Sequence, residues 1–141
     1  IQEIDNLLKM NNKKIFVDLK APWVKAHAES LKQVIRNLVV NAIKYSGQAQ
    51  EIFLEWSENE TTTFLKVKDN GPGIPLEHQD RIFERFYRLD KGRGRDRGGS
   101  GLGLALVKHL MLNHNGQIKL ISDAQNGCEF ICEFPKYESK I

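Results

Sequence analysis

The chain is short of the features that settle a function by composition. It has two cysteines, Cys128 and Cys132, and no Cys-x-x-Cys pair. Four residues apart in what reads as a strand, they would stand on one face about 13 Å apart at about 3.3 Å per residue, too far to bridge. Two thiols without a framework suit a reducing compartment, and a metal site would need more ligands. No apolar run approaches the roughly 20 residues of a membrane span, and no signal peptide is visible. The net charge of +3 is too slight to argue for nucleic acid or an anionic membrane as partner. Neither common phosphate fingerprint occurs: there is no G-x-x-x-x-G-K-[ST], and the G-x-G-x-G ending at Gly103 does not follow a strand. What is present is an ordinary globular composition, 40% apolar and 28% charged over 141 residues, enough for one domain with a real core. The first residue is Ile1 rather than Met, as in a piece excised from a longer chain.

The informative stretch is Lys66-Val-Lys-Asp-Asn-Gly-Pro-Gly-Ile-Pro75. Thr62 to Val67 alternates as a half-buried strand does, which puts Asp69 at a strand end. Gly71 and Gly73 bracket Pro72 behind it, and glycine lets backbone approach a flat ligand or turn with positive φ. The same residues also make a good connecting turn, so the stretch alone does not decide between a pocket wall and a loop.

Taken in order, residues 1–12 read as the end of a helix arriving from elsewhere. Lys14 to Leu19 reads as a strand, with a small antiparallel partner near Trp23 to Ala26. Glu29 to Tyr45 carries the apolar stripe Leu31, Ile35, Leu38, Val39, Ala42 and Ile43 of a long helix that Gly47 ends. On that helix Asn37, Asn41 and Lys44 fall on one side. Asn competes with the backbone for hydrogen bonds, so two of them four apart in a helix interior call for a reason. One reading is a solvated face; the other is amide oxygens offered to Mg2+, a hard cation that prefers oxygen. Glu51 to Glu55 and Thr62 to Val67 form a hairpin. Glu77 to Phe86 reads as helical, with an aromatic cluster at Phe83, Phe86 and Tyr87 that fits an ordinary core or the root of a lid.

Between Arg85 and Arg97, five Arg and one Lys stand against two Asp, a surplus larger than that of the whole chain. The glycine-rich segment that follows opens a second helix from about Leu102 to His114, and free N–H groups at such a start favour an anion. Gly116 to Ile121 and Cys128 to Phe134 close the domain as two strands. A carboxylate in a glycine-walled cleft, an Asn ladder, a basic loop and an anion-binding helix start together point to ATP with Mg2+.

The order of these motifs resembles a family. Asn37-Leu-Val-Val-Asn41-Ala-Ile-Lys44-Tyr45-Ser46 resembles the N box of sensor histidine kinases. Asp69-Asn-Gly-Pro-Gly-Ile-Pro75 resembles their first glycine box, Ile82-Phe-Glu-Arg-Phe-Tyr-Arg88 the F box, and Gly99-Ser-Gly-Leu-Gly-Leu104 the second glycine box. The resemblance covers roughly residues 13 to 135. It implies an α+β fold: a two-layer sandwich in which a mixed, mostly antiparallel sheet of about five strands packs on three helices, with a flexible ATP lid. The expected division is a preceding helical, dimerising segment at 1–12, an ATP-binding catalytic domain at 13–137 and a tail at 138–141.

By the same resemblance Asn41 would hold Mg2+, and Asn37, Lys44 and Arg88 would contact the phosphates or their metal as catalytic groups. Tyr45 would stack near the adenine and Asp69 would accept its amine. Gly71, Gly73 and Ile74 would wall the base, and Gly99, Ser100, Gly101, Leu102, Gly103 and Leu104 would follow the phosphate chain. The implied chemistry is phosphoryl transfer to a histidine on a separate dimerisation and phosphotransfer domain, then to an aspartate on a response regulator. ATP-hydrolysing relatives of the fold carry a Glu where Asn37 stands, and an amide cannot take a proton from water. None of His27, His78, His109 and His114 has the surroundings of the family's acceptor, H-E-x-R-T-P, so the acceptor is expected on another domain. His27 stands where the family often has Asp ahead of the long helix, a weaker cap by roughly 1 kcal/mol. The expected domain is cytoplasmic and monomeric in isolation, does not bind nucleic acid, and belongs to a protein anchored in the cell membrane. Two alternatives stay open: an ATPase or serine kinase of the same fold, and a nucleotide-binding docking module without transfer.

Overall fold

The computed structural model describes residues 2–20, 27–48, 51–87, 103–123 and 127–136. Its five strands are β1 (Lys14–Leu19), β2 (Glu51–Glu58), β3 (Thr62–Asp69), β4 (Gln117–Asp123) and β5 (Gly127–Pro135), joined in one sheet in the order β1-β2-β3-β5-β4. The helices are α1 (Gln2–Met10), α2 (Ala28–Tyr45), the single turn α3 (Leu76–Gln79) and α4 (Gly103–Asn113). No described helix is long and apolar enough to cross a membrane. Helices α2 and α4 lie against each other and against the sheet, and α1 packs on α2. This is the expected α+β arrangement.

The period of two in the strands decides which side chains meet the helices. On β2 the inward positions are Ile52, Leu54 and Trp56, and on β3 they are Thr63, Leu65 and Val67. The next inward position on β3 is Asp69. A carboxylate is thereby carried into the buried layer by the same alternation that builds the core. From the helix side Val34, Leu38, Val39, Ala42 and Ile43 on α2 and Val107 and Met111 on α4 complete that layer.

One pairing goes beyond the sequence reading, and one expectation is corrected. β1 pairs with β2, and in parallel, Lys14 opposite Glu51 through Leu19 opposite Trp56. The connection between them is a crossover that contains α2, and such a connection returns the chain in the same direction. The partner expected near Trp23 to Ala26 lies outside the described residues. At this edge only Ile15 joins the core; Val17 and Leu19 are 56% and 73% exposed. The correction concerns Glu77 to Phe86, where the helix stops at Gln79 and single turns follow, closed by Arg81 and Ile82 N–H on His78 O and by Glu84 N–H on Arg81 O. Phe86 has φ of 64°. Breaking the helix lets the adjacent Ile82 and Phe83 both turn inward, Ile82 into the core and Phe83 edge-on to Phe130.

The start and end of α2 follow the sequence. His27 is its N-cap with no side-chain cap bond, and its own N–H donates instead to His114 Nε2 at 2.9 Å. His114 Nδ1 bonds Leu110 O, so the ring carries its proton there and accepts at Nε2. At the other end Gly47 takes φ of 62° beyond the cap Ser46.

Candidate functional site

The glycine turn after β3 is held from three sides. Gly71 N–H donates to Asp69 Oδ1 at 2.8 Å, and a Cβ on Gly71 would lie 2.5 Å from Ser46 O. The turn therefore touches the end of α2, and only a residue without a side chain fits. Gly73, at φ of 77°, would place a Cβ 2.2 Å from Asp123 O at the end of β4. Ile74 N–H donates to Ser122 Oγ at 2.7 Å, and Gln79 Nε2 donates to Ile74 O and Ser122 O. A sequence that makes a good loop is here a fixed wall.

Asp69 is buried at its foot, opposite Ile52 and Cys128 in the sheet. Burial pushes its carboxyl above the ordinary value, while the N–H groups of Gly71 and Cys128 and the charge on Lys13 pull it part of the way back. Lys13 is itself buried, and its Nζ donates to Ser46 Oγ at 2.7 Å and to Gly47 O at 3.0 Å. Burial lowers Lys13 and Asp69 opposes that. Burial also raises both thiols, Cys132 to about 12, so neither is a thiolate near neutral pH.

On α2, Asn37 Nδ2 donates to Gln33 O at 2.7 Å, one turn back. That bond satisfies the amide nitrogen inside the helix and leaves Oδ1 outward, which is the reason an Asn is tolerated there. A Cβ on Gly103 would lie 3.2 Å from that Oδ1. The N box thus meets the last glycine of the second glycine box at the start of α4. Asn41, Lys44 and Tyr45 follow on α2, each half-buried. Leu104 packs against the core. Beside Asn37 and Gly103 opens a cleft of about 730 Å³, lined by Phe83, Phe86, Leu106 and Leu112 among others. Phe86 is 69% exposed and Leu112 59%.

Among the predicted residues, the structure brings Asp69 and Gly71 to the end of α2, Gly73 and Ile74 to the end of β4, and Asn37 to Gly103. Arg88, Gly99, Ser100, Gly101 and Leu102 lie outside the described residues. Among the described residues no group of three or more His, Cys, Asp or Glu could hold a metal ion. Sequence reasoning missed Lys13, Ser46, Ser122 and Cys128 around Asp69. Cys128 could have been found from the strand register, whereas a lysine ahead of a strand carries no signal.

A buried carboxylate behind a rigid glycine turn, and an amide oxygen against a glycine-started helix, on one sheet with helices over one face, define an ATP-binding domain. Residues 26–138 match the family described as histidine kinase-, DNA gyrase B- and HSP90-like ATPase, and the chain belongs to that family. It is 44% identical over 107 residues, 76% of its length, to the sensor-like histidine kinase SenX3 of Mycolicibacterium smegmatis, and spans 28% of that relative. Among solved structures, the nucleotide-free catalytic domain of the histidine kinase ThkA is 28% identical with a TM-score of 0.78, covering 96% of this chain and 90% of that one. Full-length ShkA in complex with AMPPNP is 25% identical with a TM-score of 0.82, covering 99% of this chain and 29% of that one. The chain is thus the catalytic, ATP-binding kind of domain found in sensor histidine kinases.

Proposed function

We propose that this domain, residues 13–137, binds ATP with Mg2+ and donates the γ-phosphoryl group to a histidine on a helical dimerisation domain of the same protein, for relay to a response-regulator aspartate. Residues 1–12 are the tail of that helical part. The observation that carries the reading is the Asn37 amide at the mouth of α4, where hydrolysing relatives would need a carboxylate. An amide orients; it does not deprotonate water. An imidazole nitrogen is already a nucleophile, so transfer needs positioning and charge neutralisation rather than a strong base. In the balanced step a nitrogen–phosphorus bond forms as the bond from the γ-phosphorus to its bridging oxygen breaks, and ADP leaves.

The residues present fit the nucleotide and its metal. Gly71 and Gly73 make a wall that no side chain could share, and Asp69 behind it accepts the exocyclic amine of adenine, with Tyr45 beside the ring. Asn41 would offer a neutral oxygen to Mg2+, and the metal would supply charge neutralisation along the phosphate chain. Asn37, Lys44 and Arg88 orient the phosphates, and Gly99 to Leu104 supply backbone N–H groups to them. The cleft beside Asn37 suits an apolar helix face that carries the acceptor. The domain is cytoplasmic, monomeric in isolation, and part of a membrane-anchored protein.

Titration calorimetry with ADP and with a non-hydrolysable ATP analogue, each with and without Mg2+, tests this. Saturable binding strengthened by Mg2+, followed by label transfer from ATP to a supplied acceptor hairpin with little free phosphate, is expected. Steady release of inorganic phosphate would instead make the domain an ATPase, and binding without transfer a docking module.

A further inference from the structure

We propose that Lys13 is a positioning residue of the adenine pocket: its buried ammonium holds the end of α2 against the glycine turn and faces the carboxylate that tells adenine from other bases. Lys13 lies ahead of the segment that the family matches and outside all four motifs. The inference rests on the reading of Asp69 as acceptor of the adenine amine.

Lysine is almost never buried unless paired, because an ammonium loses its hydration. Two of the three donors on Lys13 Nζ are spent on Ser46 Oγ at 2.7 Å and Gly47 O at 3.0 Å. These acceptors sit at the end of α2, where free carbonyls and the negative end of the helix dipole favour a cation. The same Ser46 is the residue against which Gly71 closes, with its O and Cα at 2.5 and 2.7 Å from where a Cβ would stand. Gly71 in turn gives its N–H to Asp69 Oδ1. Lys13, Ser46, Gly71 and Asp69 are therefore one contiguous set of contacts, anchored at one end by a charge.

The charge also acts directly. Lys13, from the turn before β1, and Cys128, from β5, are the titratable groups that interact with Asp69 among the described residues. Burial keeps the Cys128 thiol neutral, which leaves Lys13 as the counter-charge. Without it Asp69 would take up a proton at higher pH. An ionised carboxylate can only accept, whereas a protonated one can donate to a carbonyl oxygen. Base preference should therefore follow the charge at Lys13.

The experiment compares ADP with inosine diphosphate, in which a carbonyl oxygen replaces the amine, by titration calorimetry from about pH 5.5 to about pH 8. The proteins are wild type, Lys13→Gln and Lys13→Met. Both variants should lose about fivefold of the preference for ADP, and the acid limb of ADP binding should move up by about one pH unit. If Met is not tolerated in the fold, Gln, which can still donate to Ser46, carries the test. Equal loss for both nucleotides with an unmoved acid limb, or no change at all, would overturn the role of Lys13 while leaving the pocket in place. Absence of ADP binding in the wild type would overturn the nucleotide reading itself.

Discussion

Asp69 is a carboxylate at the end of β3, and it is buried. Burial follows from register: the alternation Thr63, Leu65, Val67 carries Asp69 to the inward side, and the cost appears as a carboxyl pushed above its ordinary value. A carboxyl with a raised folded pKa binds its proton more tightly in the native state, so stability falls as pH rises from the ordinary carboxylate value through the folded one. Asp69→Asn removes that loss and keeps an oxygen for the Gly71 N–H. At pH 7 the variant should melt no lower than wild type, and its advantage should shrink as melts are repeated down to about pH 4. The same change should cost about 1.5–3 kcal/mol of ADP affinity by calorimetry, the range for a hydrogen bond to a charged group. Unchanged affinity would remove Asp69 from the base pocket. Thr63 is a second buried polar residue on the same strand, and its Oγ1 has no hydrogen-bond partner among the described residues. Thr63→Val should raise stability by up to about 1 kcal/mol in denaturant melts, since a desolvated hydroxyl without a partner is a net cost.

Long periodic elements and glycine punctuation were readable because they are local. The stripe of α2, the stop at Gly47 and the hairpin of β2 and β3 all depend on residues close in sequence. What was not readable depends on distant partners. The parallel pairing of β1 with β2 is set by the α2 crossover, and the break after Gln79 is set by the need to seat both Ile82 and Phe83. The glycine turn shows the same limit: its composition fits any loop, and its rigidity comes from Ser46, Ser122 and Asp123, remote along the chain. Gly73 bears that constraint most directly, with positive φ and a Cβ position 2.2 Å from a carbonyl oxygen. Gly73→Ala should cost about 2 kcal/mol or more of stability, combining a strained φ with displacement of β4. A thermal melt within a degree or so of wild type would mean that the turn is looser than its contacts require.

Across the whole molecule, the glycine turn and the cleft meet α2 at separate places, the turn at its C-terminal end and the cleft near its middle. Asp69 and the glycine turn meet its C-terminal end at Ser46 and Gly47, while Asn37, two turns earlier, faces the start of α4 and the cleft beside it. Leu106 and Leu112 extend that cleft along a face of α4 that the apolar pattern alone would assign to the core. They are left exposed because Val107 and Met111 already fill the sheet side, and Phe86, turned outward by its positive φ, stands beside them. If an acceptor helix lies there, nucleotide binding and transfer must be separable by mutation. Leu112→Glu puts a charge where the helix would land, and it touches none of the residues around Asp69. It should reduce label transfer to a supplied acceptor hairpin by about tenfold, the effect of losing about 1.4 kcal/mol of docking energy, with ADP affinity within about twofold of wild type. Unimpaired transfer would place the acceptor elsewhere. A parallel loss of ADP binding would mean that the cleft and the base pocket are not independent, contrary to their separation along one helix.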